Sequence, residues 1–120
     1  MKGQKLAILR SEDVVIVPVH GDLDDLELEG FETSLLRETS KADVNGLILD
    51  LSSVDIIDHF MVGKLIRMIR MVALMDVDSV VVGMKPSVAI TLTDMNVSWS
   101  DIRTALNLEK GLATLKLARK

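Results

Sequence analysis

Asp50-Leu51-Ser52-Ser53-Val54-Asp55-Ile56-Ile57-Asp58-His59-Phe60-Met61-Val62-Gly63 decides the reading of this chain: an apolar run ends there, an acidic loop crosses it, and an amphipathic helix starts in it. Upstream, Gly46 to Leu51 is short and apolar, the pattern of a strand covered on both faces. Downstream, Met61, Leu65, Met68, Ile69 and Val72 recur at helical spacing, while Lys64, Arg67 and Arg70 mark another face. Asp58 therefore falls at the helix N-cap, where its carboxylate can accept from free backbone N–H groups. His59 takes the first helical position, at the positive end of the helix dipole.

Working outward, Lys5 to Leu9 and Val14 to His20 read as two strands joined through Ser11-Glu12-Asp13, a polar turn suited to a hairpin. Asp24 or Asp25 can cap a following helix whose apolar face is Leu28, Phe31 and Leu35, ending near Lys41; Gly30 weakens it. Beyond the central stretch come a helix from His59 to Met75, a strand from Ser79 to Gly83 and a helix from Pro86 to Met95, with Pro86 at a first-turn position where a missing N–H costs nothing. Strands alternating with helices imply an α/β fold with a largely parallel sheet.

Composition narrows the function. A length of 120 residues suits one domain, 1–120, with a single core, and no Pro-, Gly- and Ser-rich stretch suggests a linker or disordered tail. Apolar runs stay far short of the roughly 20 residues that cross a bilayer, and no secretion-signal pattern opens the sequence, so no membrane partner is expected. The absence of Cys removes disulfides, thiol nucleophiles and thiolate metal sites and fits a cytoplasmic protein. A net charge of −4 with few aromatics argues against nucleic-acid binding. The basic residues Lys64, Arg67 and Arg70 read as a solvated helix face rather than an anion site.

Asp55, Asp58 and His59 could be drawn as an acid–base set, since a neighbouring carboxylate can raise a His pKa. Acidic residues ahead of a helix are more commonly caps, and no Ser sits in a Gly-flanked nucleophile elbow, so no catalytic residue and no enzyme activity are expected. With His20 and His59 the only histidines, no metal site or cofactor is expected either. Gly83-Met84-Lys85-Pro86-Ser87 lacks the repeated glycines of a dinucleotide fingerprint and the Gly-Lys-Ser/Thr of a P-loop, and reads as a turn and helix start. Met61, Met68, Met71, Met75 and Met84 read mainly as core filling, but Phe60 and Met61 directly follow the loop, and either one exposed would make a partner contact. Ser52 and Ser53 read as loop residues that hydrogen-bond the backbone rather than as modification sites.

The sequence resembles the STAS domain family of anti-sigma factor antagonists, whose hallmark is a strand, an Asp-Leu-Ser/Thr loop, and an Asp-Ser or Asp-Thr pair opening the second helix. Leu23-Asp24-Asp25, the run from Asp50 to Asp58, Lys85 to Leu92, and Thr104 to Leu112 look most like its stressosome scaffold branch, the RsbS-like proteins. The resemblance implies a sheet with helices packed against it, and favours a short last strand within Ile102 to Leu106, then a helix capped by Asn107 and running to about Leu117. It also implies a non-enzymatic scaffold that holds a serine/threonine switch kinase of the RsbT type, in a large oligomer with RsbR-like STAS proteins. Release follows phosphorylation of a Ser that aligns with His59. A phosphoryl group adds about −1.5 to −2 charges, which a helix N-terminus stabilises and Asp55 and Asp58 repel. Asp25 lies where RsbR-like proteins carry a phosphorylatable Thr. Acidic side chains beside Phe60 and Met61 make Asp55, Asp58, His59, Phe60 and Met61 the expected partner surface. A small soluble anti-sigma factor antagonist, or another STAS interaction domain, is the alternative.

Overall fold

The computed structural model describes residues 7–97 and 102–118. Five strands form one sheet in the order β1-β2-β3-β4-β5: β1 Leu9–Ser11, β2 Val14–Pro18, β3 Gly46–Asp50, β4 Asp78–Val82 and β5 Thr104–Ala105. The hairpin β1–β2 is antiparallel and every other pairing is parallel. Helices α1 Asp25–Thr39, α2 His59–Ala73, α3 Pro86–Asp94 and α4 Leu108–Ala118 complete the α/β architecture.

Because the strands are laid down in spatial sequence, each parallel crossover steps in the same direction. One handedness then puts all three crossover helices on one face. The larger apolar cluster lies there, joining Val15, Val17, Leu47, Leu49 and Val81 to Leu28, Phe31 and Leu35 of α1, to Leu65, Met68 and Val72 of α2, and to Val88 and Leu92 of α3. On the opposite face Val14, Ile16, Ile48, Val80 and Val82 meet Leu115 of α4. Burial on both faces is why the three central strands read as continuous apolar runs. A close approach makes the α4 layer possible: a Cβ on Gly111 would lie 2.7 Å from Val82 Cγ1.

The helix starts follow local chemistry. Asp24 caps α1 in a reciprocal capping box, accepting from the Glu27 N–H at 2.8 Å while the Glu27 carboxylate accepts from the Asp24 N–H at 3.0 Å. Asn107 accepts from the Lys110 N–H at 2.9 Å at the head of α4, and Pro86 opens α3.

Several ends differ from expectation. The hairpin strands are shorter: β1 takes in Ser11, β2 stops at Pro18 before His20, and Lys5 lies outside the described residues. Helix α1 ends at Thr39, whose hydroxyl donates to the Leu35 carbonyl at 2.8 Å, rather than near Lys41. Helix α2 ends at Ala73 rather than Met75, because Asp76 turns into the left-handed region at φ 63° and Val77 N–H reaches back to the Val72 carbonyl. Asn96, at φ 57°, closes α3 in the same way.

Candidate partner-binding site

The loops at the C-terminal ends of the parallel strands gather on one end of the sheet, and the β3–α2 loop is their centre. Asp50 closes β3 and accepts from the Ser52 N–H at 2.9 Å, which turns the chain out of the sheet. Gly83, at φ 71°, passes so close that a Cβ there would sit 3.0 Å from Ser52 Cβ and 3.1 Å from Asp50 Oδ1. Only a residue without a side chain takes that backbone conformation in that space. Ser52 and Ser53 are exposed, and the Ser52 contact is the backbone one expected of a turn.

Within the loop, Val54 and Ile57 are buried and act as two feet. Between them Asp55 and Ile56 are lifted outward, and Ile56 is 82% exposed. The Asp55 carboxylate pairs with Lys85 and the Asp55 carbonyl accepts from the Ser87 hydroxyl at 2.7 Å, so α3 braces the loop from one side. Gly21, after β2, braces it from the other, so close that a Cβ on it would lie 3.2 Å from the Ile56 carbonyl oxygen.

At the far end of the loop Asp58 is the N-cap of α2, accepting from the Met61 N–H at 2.8 Å, and His59 is the first helical residue and exposed. Phe60 is 47% exposed and its ring lies 5.8 Å from Lys64 Nζ, within reach of a cation–π contact. Met61 turns the other way, into the core at 4% exposure. Of the two apolar residues following the loop, Phe60 is the one available to a partner, and Met61 instead anchors the first turn of α2.

The structure therefore brings Asp55, Asp58, His59 and Phe60 onto one surface and adds Ile56, Lys85 and Ser87, which sequence reasoning did not place there. Ile90, one turn along α3 from Ser87, is 62% exposed. The pair Ile56-Ile57 held a signal, since two adjacent loop residues seldom both point inward, but it did not say which faces out. Among the described residues no group of three metal-ligating side chains occurs, and no helix is long and apolar enough to cross a membrane.

The family profile for the STAS domain matches residues 5–111. The chain belongs to the STAS domain family. It is similar to a solved Ser-to-Glu variant of RsbS from Moorella thermoacetica, with 37% identity, 97% of this chain and 99% of that chain covered, and a TM-score of 0.86. It is also similar to a chain solved for the molecular architecture of the stressosome, a signal integration and transduction hub, with 39% identity, 95% and 100% coverage and a TM-score of 0.82. Among curated proteins, the RsbT co-antagonist protein RsbRC of Bacillus subtilis is 28% identical over 113 residues, 93% of this chain and 40% of that one. This chain spans 37% to 40% of the length of the curated relatives RsbRD, RsbRB, RsbRC and RsbRA that it matches. The STAS architecture expected from the sequence, a mixed, mainly parallel sheet with helices packed on it, is the one observed.

Proposed function

We propose that this chain is a non-enzymatic scaffold of a cytoplasmic, stressosome-type signalling complex, and that the β3–α2 loop with the start of α2 is the surface on which it holds a serine/threonine switch kinase of the RsbT type. The observation that carries the reading is a braced, exposed, acidic and apolar surface made by Asp55, Ile56, Asp58, His59 and Phe60. A preformed surface loses little conformational freedom on binding, which favours recognition over chemistry. Apolar anchors in Ile56 and Phe60, surrounded by carboxylates, suit a partner with an apolar pocket and a basic rim. Identity of 37% and 39% to RsbS and to a stressosome chain, over nearly the whole of each, supports the same assignment, with RsbR-like STAS proteins as co-subunits of a large oligomer.

The release step differs in one respect. RsbS-like proteins are switched at a Ser hydroxyl, and an imidazole stands at His59, so release here does not run through a seryl phosphate at this position.

Titration calorimetry with a purified RsbT-type kinase tests the surface. Asp55→Lys reverses the loop charge and sets two cations side by side at Lys85, and it is expected to weaken binding by about tenfold or more. Unchanged affinity with an intact circular dichroism spectrum would overturn the assignment.

A further inference from the structure

The surface around the β3–α2 loop carries cations of its own. The Lys85 ammonium pairs with Asp55 Oδ1, and the Lys64 ammonium lies 5.8 Å from the centre of the Phe60 ring. Of the two carboxylates on the surface, Asp58 is engaged by its helix, where Oδ1 accepts from the Met61 N–H. Asp55 caps nothing, and its side chain is 76% exposed even within the ion pair. It is the carboxylate best placed to meet a partner's cation, and Lys85 already stands against it.

The loop does not depend on Lys85 for its position. The Asp55 carbonyl accepts from the Ser87 hydroxyl, and Val54 and Ile57 are buried on either side. Lys85 does not serve its own helix as a cap either. It fills the N-cap position of α3, where Ser, Thr, Asp or Asn would accept from the helix N–H groups, and its side chain makes no such bond. A lysine there gives up a cap and gains a cation directed at Asp55.

We infer that Lys85 is a specificity-determining residue of the partner surface, an internal counter-ion that screens Asp55 until a partner's cation takes its place. The inference rests on the function proposed above and names how that surface selects its partner. An arriving cation has to exchange with Lys85 rather than meet a bare carboxylate, and exchanging one exposed ion pair for another gains little. A basic surface without the matching shape therefore draws no advantage from Asp55. A partner whose apolar pocket seats Ile56 or Phe60 brings its cation to close range and completes the exchange. Removing Lys85 should then tighten binding, the reverse of what losing a brace of the loop would do.

Titration calorimetry against the same RsbT-type kinase tests this with Lys85→Met, a substitution that keeps an apolar stem and removes the charge. Its Kd should lie about three- to tenfold below that of the unaltered chain. Its affinity should also fall more steeply with added salt, since an unscreened carboxylate now meets the partner's cation. In an Asp55→Asn background the same substitution should tighten binding by about twofold or less, because only like-charge repulsion is relieved. An unchanged or raised Kd for Lys85→Met, or an equal gain with and without the Asp55 carboxylate, would overturn the inference. The two readings fail in different ways. Affinity unchanged by Asp55→Lys removes the partner surface and this inference with it, whereas affinity lowered by Asp55→Lys but not raised by Lys85→Met overturns the role of Lys85 alone.

Discussion

The hydroxyl of Ser87, in the first turn of α3, donates to the main-chain carbonyl of Asp55 at 2.7 Å, across a sequence separation of 32 residues. With the Lys85–Asp55 ion pair beside it, this contact ties the β3–α2 loop to a helix that reaches it through β4. Both partners of the ion pair are substantially exposed, so the hydroxyl-to-carbonyl bond is the more dependable tether.

Removing that tether should loosen the loop while leaving the fold in place. For Ser87→Ala, amide hydrogen exchange of residues 53–58 is expected to speed up, with a change in global stability below about 1 kcal/mol. Exchange rates matching those of the unaltered chain would show that Val54 and Ile57 alone hold the loop.

Core packing on α2 gives a larger effect. Leu65 is buried between α2 and the sheet, and Leu65→Ala should cost roughly 2–5 kcal/mol in chemical denaturation. A loss below about 0.5 kcal/mol would contradict the packing of this helix.

Two glycines should respond with opposite signs to the same substitution. Gly30 is exposed in the middle of α1, and a Cβ added there would meet nothing within 4 Å, so Gly30→Ala should stabilise the domain by about 0.5–1 kcal/mol. Gly111→Ala would press a methyl group against the stiff Val82 side chain and should destabilise by about 1–3 kcal/mol. Equal shifts in urea midpoint for the two variants would be inconsistent with α4 lying this close to the sheet.

At position 59 the expectation concerns chemistry rather than stability. Incubated with an active RsbT-type kinase and ATP, the unaltered chain should carry no phosphate at His59, while His59→Ser should acquire one. Phosphate-mapping mass spectrometry distinguishes them. A Ser variant left unmodified by a kinase that phosphorylates its own scaffold would remove the switch and leave a purely structural role.

The hydrogen bond from Arg10 to Asp43, at 2.8 Å, together with the guanidinium charge, holds the Asp43 carboxyl below its ordinary range. A depressed folded-state pKa contributes stability above the unfolded value of about 3.9, and that contribution fades as the pH falls through the folded value. Asp43→Asn should therefore lower stability slightly at pH 7 and make no difference in strong acid. Denaturation midpoints that diverge further in acid would refute the pairing.

The parts of this protein legible in the sequence are those governed by neighbours along the chain. The periodicity of Leu28, Phe31 and Leu35, the capping position of Asp58 and Pro86 at a helix start all depend on local backbone chemistry, and the structure places each where its spacing implied, while the cap at Asn107 lies where the family resemblance put it. The extent of the elements was less legible. Asp76 and Asn96 end α2 and α3 in a left-handed conformation that the residue types permit but do not require.

The candidate site divides along the same line. Asp55, Asp58 and His59 could be placed together at the junction of the loop and α2 because they are close in sequence, and the STAS resemblance followed from that same run. That Ile56 faces outward while Ile57 faces in, that Phe60 is exposed and Met61 buried, and that Lys85 and Ser87 reach Asp55 were decided only when β4 and α3 packed beside the loop. Local sequence thus determined where α1, α2 and α3 begin and which family the chain resembles. Tertiary packing determined which side chains remain for a partner, because exposure depends on what the distant segments cover.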